Sequence, residues 1–227
     1  MIDENKDLCL SLISGGKDSI YATAFMIMQG FDLATVTFFP KNENSYMLHP
    51  INLEATKIQA NFMSVKHFSF EVSGEKEKEV EEMLKVLKKL KEKLNFSYIC
   101  CGAIKSEYQR ERIERIAEEL NVPSFIPLWH KNEEKLIREM VENGFEFLIV
   151  RTCAESLEEY LGVKITKENV NEFLKKLKML KANASGEGGE YETLVVNAPI
   201  FSSALKWRIL RKIKDGLMHT AIVEVIE

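Results

Sequence analysis

What the sequence lacks narrows it first. It has no apolar run that could cross a bilayer, which takes about 20 residues in a helix. The candidate near the start, Leu8 to Ile13, is far too short, and no basic leader of the signal-peptide kind precedes it. Cysteine is scarce: Cys9, Cys100, Cys101 and Cys153 are the only four, and no two stand at CxxC spacing. That argues against a zinc ribbon, a thioredoxin-type site or a disulfide framework, and it fits the reducing cytoplasm. Five prolines and eleven glycines in 227 residues exclude collagen-like and low-complexity chains. Positive charge is not in excess. Thirty-one Lys and Arg face thirty-five Asp and Glu, for a net charge of −4, so bulk electrostatics gives no footprint for nucleic acid. No internal repeat is visible.

What is present describes an ordinary globular chain, 45% hydrophobic and 29% charged. A chain of this length buries roughly 70–75% of its unfolded surface and needs no covalent or metal staple. Its first half alternates strand and helix patterns. LCLSLI (8–13), LATVTFF (33–39), residues 67–72, FSYICC (96–101) and 124–126 read as strands. Between them lie helical patterns over 17–29, from an Asn52 cap to about Val65, over 75–94 and over 107–120. The helix over 75–94 has Glu in its first turn and Lys in its last, which suits the helix dipole. This alternation predicts right-handed crossovers and a parallel sheet with helices on both faces, an α/β, Rossmann-like arrangement. Ligands of such sheets bind beyond the carboxyl ends of the strands, near the switch in strand order.

The second half differs. A helix (133–142) and a strand (145–151) lead to a helix opened by Thr166 and running to about Ala182, then to the Gly-rich stretch Ser185–Glu190. Strands follow over 191–197, 205–213 and 220–226. Asp215-Gly216 marks a turn, and the last two strands should form an antiparallel hairpin. This reads as a smaller mixed α+β domain, with domains at 1–130 and 131–227 and no Ser/Gly linker between them.

The most informative segment is Ser14-Gly15-Gly16-Lys17-Asp18-Ser19, where the first strand meets the first helix. Glycines allow a sharp turn and leave amide N–H groups unshielded. The helix N-terminus adds unpaired N–H groups and the positive end of a dipole. Two hydroxyls, a lysine and an aspartate complete an anion cradle in which Asp18 can hold Mg²⁺. The spacing is not that of a Walker A loop. A Gly-Gly turn alone is usually only a turn; the complete SGGKDS string after an apolar strand is more.

SGGKDS resembles the phosphate loop of the PP-loop ATP pyrophosphatases. Three further segments narrow the resemblance: Met47-Leu48-His49; the run from Gly102 to Arg110 (GAIKSEYQR) with Pro127-Leu128-Trp129; and GEGGEYET from Gly186 to Thr193. In this order they resemble the diphthine–ammonia ligase family over nearly the whole chain. The resemblance implies a carbon–nitrogen ligase using ATP and Mg²⁺. It would adenylate the diphthine carboxylate on translation elongation factor 2 and amidate it with ammonium, releasing AMP and pyrophosphate. The alternatives are a PP-loop adenylating enzyme with another acceptor, a tRNA base or a small carboxylate, and a nucleotide sensor without turnover. The implied setting is the cytoplasm, with no membrane or direct nucleic-acid partner. A homodimer is compatible with this reading.

On this reading Ser14, Gly15, Gly16, Lys17, Asp18 and Ser19 hold phosphate and metal. Thr37, Phe38 and Phe39 end the second strand where adenine would lie, although each ring taken alone is better explained by core packing. His49, Gly102 and Ser106 complete the nucleotide set. Tyr108, Gln109 and Arg110 face the substrate. For Arg110 the competing role is a helix-surface pair with Glu114. Glu187, Gly188, Gly189, Glu190, Tyr191, Glu192 and Thr193 form an acidic, aromatic segment suited to the trimethylammonium group of diphthine or to ammonium. Lys17, Asp18, Arg110, Glu187 and Glu190 are the expected catalytic groups. Ala103 stands where the family often has Asp. Adjacent Cys100 and Cys101 alternate across the strand, so they are read as small buried residues rather than a reactive pair.

Overall fold

The computed structural model describes residues 7–42, 45, 47–48 and 51–226. By compactness the chain forms two units, Met1–Ser14 with Asp18–Trp129, and Gly15–Lys17 with His130–Glu227.

In the first unit the elements follow in the order β1 (Leu8–Leu12), α1 (Lys17–Met28), β2 (Asp32–Pro40), α2 (Ala55–Phe62), β3 (Lys66–Val72), α3 (Lys78–Leu94), β4 (Tyr98–Cys100), α4 (Glu107–Glu119) and β5 (Ser124–Phe125). All neighbouring strands are parallel, in the order β3-β2-β1-β4-β5. The order reverses between β1 and β4, so the loops after these two strands flank the switch point. Period-two alternation sorts β1 between the two faces. Leu8 and Leu10 join a core with Val80, Met83 and Leu87 of α3 and Ile113, Ile116 and Ala117 of α4. Ser11 turns to the other face, where its hydroxyl meets that of Thr23 on α1 at 2.8 Å. Cys100 lies on that side too, its thiol 3.7 Å from the Ala22 carbonyl. Both faces are therefore covered; β1, the middle of β2 and β4 are buried, while the edge strands β3 and β5 are largely half-buried or exposed.

Two helix starts fall later than the sequence predicts. Asn52 does not cap α2; it adopts a left-handed conformation (φ 54°), and α2 starts at Ala55 after Glu54, which makes no side-chain cap bond. The helix expected from residue 75 begins at Lys78, because Glu77 also takes positive φ (65°).

The second unit holds α5 (Glu133–Glu142), β6 (Glu146–Thr152), β7 (Lys164–Ile165), α6 (Val170–Met179), β8 (Tyr191–Asn197), β9 (Lys206–Asp215) and β10 (Met218–Ile226). Its sheet is antiparallel, ordered β7-β6-β10-β9, and β8 also pairs with β6. Phe147, Leu148 and Ile149 of β6 are fully buried, and Leu136, Ile137 and Met140 of α5 and Phe173 and Leu177 of α6 join them in the interior. β9 and β10 form the expected hairpin. Asp215 pairs with Met218, so the connecting residues are Gly216, with φ 58°, and Leu217. Thr166 does not open a helix. Its N–H donates to the Asn169 side chain, and α6 begins at Val170. β7 and the 3₁₀ turn Glu158–Tyr160 carry no sequence signal, being too short for any periodicity.

Candidate functional site

The loop after β1 is shaped by its own serines. The Ser19 hydroxyl accepts from the Ser14 N–H at 3.1 Å and lies 3.3 Å from the Ser14 hydroxyl. The loop after β4 is pressed against the first turn of α1 at Gly102. A Cβ at Gly102 would lie 2.5 Å from the Asp18 carbonyl carbon and 2.6 Å from the Ser19 nitrogen. Only glycine fits there, because both neighbours are backbone atoms. The sequence placed Gly102 in the nucleotide set; in the structure the atoms nearest a Cβ built there are the backbone of the loop itself.

Thr37 donates to the Ile13 carbonyl at 2.8 Å and is buried, so its hydroxyl ties β2 to the chain leaving β1. Phe38 is core, packed 6.2 Å from Phe70 across the β2–β3 register; Phe39 beside it is half-buried. Ser106 is the N-cap of α4, accepting from the Gln109 N–H at 3.3 Å. His49 lies outside the described residues. Ala103 is buried in the core under α3 and α4. Cys100 and Cys101 are both buried. Burial pushes the Cys101 thiol up to about 12, which leaves no thiolate at neutral pH.

The start of α4 carries a polar cluster. The Tyr108 ring lies 3.9 Å from the Arg112 guanidinium carbon and 5.4 Å from the Lys76 ammonium. Arg112 is bidentate to one oxygen of Glu77, at 2.6 and 3.2 Å. Burial and the neighbouring Glu77 push the Tyr108 phenol above its ordinary value. The Gln109 amide reaches the Met47 carbonyl at 3.4 Å. Arg110 is held by Glu107 (2.8 Å) and Glu114 (2.9 Å) and lies 5.1 Å from the Trp129 ring. Its helix-surface pairing with Glu114 is therefore present, and Glu107 takes the rest of its fork. Arg112 and Glu77 escaped the sequence reading because α4 and α3 are charged along their whole length.

In the second unit, Gly15–Lys17 dock on β8. The Gly15 carbonyl accepts from the Val195 N–H at 2.9 Å, and the Lys17 N–H donates to the Thr193 hydroxyl at 3.0 Å. The Lys17 ammonium is buried, donates to the Ser185 carbonyl at 2.6 Å and lies 5.3 Å from the centre of the Tyr191 ring. Ser185 is itself fixed by Glu133, whose one oxygen accepts from the Ser185 N–H (3.0 Å) and hydroxyl (2.7 Å). The chain Glu133–Ser185–Lys17 spans more than 160 residues of sequence and had no local signal: Glu133 reads as an ordinary first-turn glutamate.

The acidic segment is not a single cluster of carboxylates. One Glu190 oxygen accepts from the Asn183 N–H and side-chain amide, at 2.8 and 2.9 Å. Glu192 is paired across the strands with Arg151 at 3.1 Å, both side chains being 16% exposed. Tyr191 is buried, packs 5.2 Å from Phe173 and donates to the Ala184 carbonyl. Thr193 faces Lys17. Gly186 and Gly189 have positive φ (78° and 80°), and a Cβ at Gly188 would lie 2.6 Å from the Glu190 carboxylate, so the glycines are what let this segment fold back on itself. Glu187 is half-buried beside them.

With this geometry in view, comparison with known proteins is decisive. The diphthamide synthase N-terminal domain family matches residues 8–124, and the diphthamide synthase C-terminal domain family matches residues 132–223. The chain belongs to the diphthine–ammonia ligase family. Curated ligases of that name from mouse and human are each 30% identical to it, across 93% of this chain and 85% of theirs. A solved structure described as a predicted subunit of tRNA methyltransferase from Methanocaldococcus jannaschii is also similar. It has a TM-score of 0.45 and 17% identity over 86% of this chain and 98% of that one; at that level it carries no functional argument. Membership makes the protein a carbon–nitrogen ligase. Among the described residues no helix is long and apolar enough to cross a membrane.

Proposed function

We propose that the protein converts the diphthine carboxylate of translation elongation factor 2 into the amide. The carboxylate oxygen would take the adenylyl group of ATP as the bond to pyrophosphate breaks. Ammonia nitrogen would then attack the acyl carbon, AMP would leave, and the protons shed by ammonium would pass to solvent. The observation that carries the reading is the SGGKDS loop at the strand-order switch, within a chain that matches both family domains.

The donor set suits a triphosphate. Ser14 and Ser19 offer hydroxyls at a helix N-terminus, and Gly102 keeps the approach to that turn free of side chains. Lys17 supplies a cation for charge that develops on departing pyrophosphate; a preorganised donor of this kind typically accounts for 10²–10³ in rate, about 2.7–4 kcal/mol. Asp18 is the carboxylate in the loop. Among the described residues no three His, Cys, Asp or Glu side chains gather as a metal cage. Mg²⁺ binds through one or two carboxylates and the phosphates themselves; Asp18 is the residue that would hold it, and the ion would supply charge neutralisation. Glu187 and Glu190 are the groups proposed to receive ammonium and to relay its protons to solvent; Asn183 holds one Glu190 oxygen, and the other is the one given this part. Arg110 is given no part, because Glu107 and Glu114 occupy its fork.

The test uses purified protein, ATP, Mg²⁺, ammonium and elongation factor 2 carrying diphthine. Mass spectrometry follows the modified histidine while nucleotides are separated. Amide formed in step with AMP supports the proposal. AMP without amide would overturn the acceptor and retain the pyrophosphatase chemistry. Bound ATP with no AMP would overturn turnover as well.

A further inference from the structure

β9 is the outermost strand of the second sheet and hydrogen-bonds to β10 alone among the described residues. Ten residues of extended chain span about 34 Å, so a long row of backbone N–H and C=O groups lies open on its free side. The strand is basic: Lys206, Arg208, Arg211, Lys212 and Lys214 stand against Asp215, in a chain whose net charge is −4. Two of the five cations are engaged. Arg208 pairs with Glu224, and the Lys212 ammonium donates to the Leu161 carbonyl at 2.8 Å. Lys206, Arg211 and Lys214 are exposed and have no ion-pair partner among the described residues. The same hairpin also exposes apolar side chains: Leu210 (54%), Ile213 (41%), Leu217 (68%) and Ile226 (41%). These are four of the seven large apolar residues exposed among the described residues.

Lysines and a bulge, here between Ile222 and Val223 opposite Leu210, are common defences of a sheet edge against pairing with itself. They do not account for the interleaved exposed leucines and isoleucines, which a merely protected edge would shed. We propose that β9 is a docking edge for an extended, acidic segment of a protein partner, one that alternates carboxylates with apolar residues and adds as a further strand. Charge decides among the candidate occupants. A second copy pairing β9 to β9 would set Lys and Arg against Lys and Arg, which is repulsive across a strand pair. A nucleic-acid backbone would use the cations but leave both the open backbone groups and the apolar side chains unsatisfied. On the reading under Proposed function, this partner is the protein substrate, and the edge would act on its capture rather than on the chemistry.

Two measurements test this. In the first, a fluorescently labelled peptide of alternating Glu and Val is titrated with wild-type protein and with R211E/K214E, and anisotropy is read at rising salt. Wild type should bind, more weakly as salt rises, and the variant should bind about tenfold more weakly with little salt dependence. Equal binding by the two proteins would overturn the proposal. So would preferential binding of a single-stranded RNA oligomer that the variant loses, or a salt-sensitive wild-type dimer that the variant turns to monomer. Thermal melts of the two proteins should coincide, since neither side chain is buried. The second measurement is steady-state amidation of elongation factor 2. R211E/K214E should raise the KM for that protein about tenfold and leave kcat and the KM for ATP unchanged; a change confined to kcat would overturn the proposal. Peptide binding that responds to the variant, together with no amide from wild type under any condition, would uphold the docking edge and overturn the assigned substrate instead.

Discussion

The two units solve the problem of placing polar groups in opposite ways. In the first, the sheet is parallel with helices on both faces, and the polar contacts of its site loop and of the start of α4 are mostly local, Ser14 with Ser19, Ser106 with Gln109, Arg110 with Glu107 and Glu114, although Arg112 reaches Glu77 from 35 residues away. In the second, the sheet is antiparallel, one long edge faces water, and polar groups meet over long stretches of sequence: Lys17 with Ser185, Ser185 with Glu133, Arg151 with Glu192. Local contacts form with little loop-closure cost and leave a mark in the sequence. Distant ones are held by the packing around them and leave none. A motif can thus be recognised from its own residues while the groups that fix its lysine stay hidden.

The largest effect should come from Lys17, where the contrast is sharpest. K17A is expected to lower AMP formation by 10²–10³, about 2.7–4 kcal/mol, with ATP affinity largely retained. Pyrophosphate release and equilibrium ATP binding measured on the same protein check this, and unchanged release would remove Lys17 from the chemistry.

His67 sharpens the comparison from the first unit. It lies on β3 with its Nδ1 3.0 Å from the Thr35 hydroxyl. Burial, aided by nearby Lys57, lowers its pKa to about 4. The unfolded chain therefore binds the proton more readily than the folded one between pH 6.5 and pH 4, and stability falls as pH falls through that window. After discounting for partial exposure the loss should be about 2–3 kcal/mol. Urea unfolding of H67Q should show a correspondingly shallower dependence on pH across the same range. Equal slopes for the two proteins would mean that the imidazole is not held neutral.

G102A should cost about 1–3 kcal/mol, because its new methyl meets the backbone of Asp18 and Ser19 rather than a side chain that can move aside. The melting temperature reads this directly. Little change would mean that the loop after β4 is looser than its contacts imply.

E133A is the smallest and the most discriminating. It removes the acceptor for two Ser185 donors and should lower AMP formation about tenfold, roughly 1.4 kcal/mol, with E133Q recovering part of the loss. If E133A only lowers the melting temperature and leaves turnover intact, the long-range network of the second unit is structural and does not position Lys17.

Much of the first unit was legible. Apolar runs, glycine stops and helical stripes placed β1 to β5 with their helices, since buried parallel strands need continuous apolar sequence. Errors fell where one residue's backbone overrode its type: Asn52 and Glu77 adopt positive φ and delay their helices. In the second unit the hairpin followed from Asp215-Gly216, whereas β7 was invisible because two residues carry no period. The acidic segment shows the limit most clearly. Its residue types invited a single cation cage, and tertiary contacts gave Glu190 to Asn183 and Glu192 to Arg151 and buried Tyr191.

By itself the sequence determined the α/β class, the Gly-rich SGGKDS loop after the first strand and the family, because each rests on residue types at short, fixed spacing. Tertiary structure alone decided which carboxylates are already spent in pairs, that Gly102 is demanded by the loop it touches, that Glu133 stands behind Lys17, and that β9 is left as an open basic edge. Those outcomes depend on which distant segments pack side by side, and a hydrogen bond of about 3 Å between residues far apart in sequence leaves no pattern in the sequence around either of them.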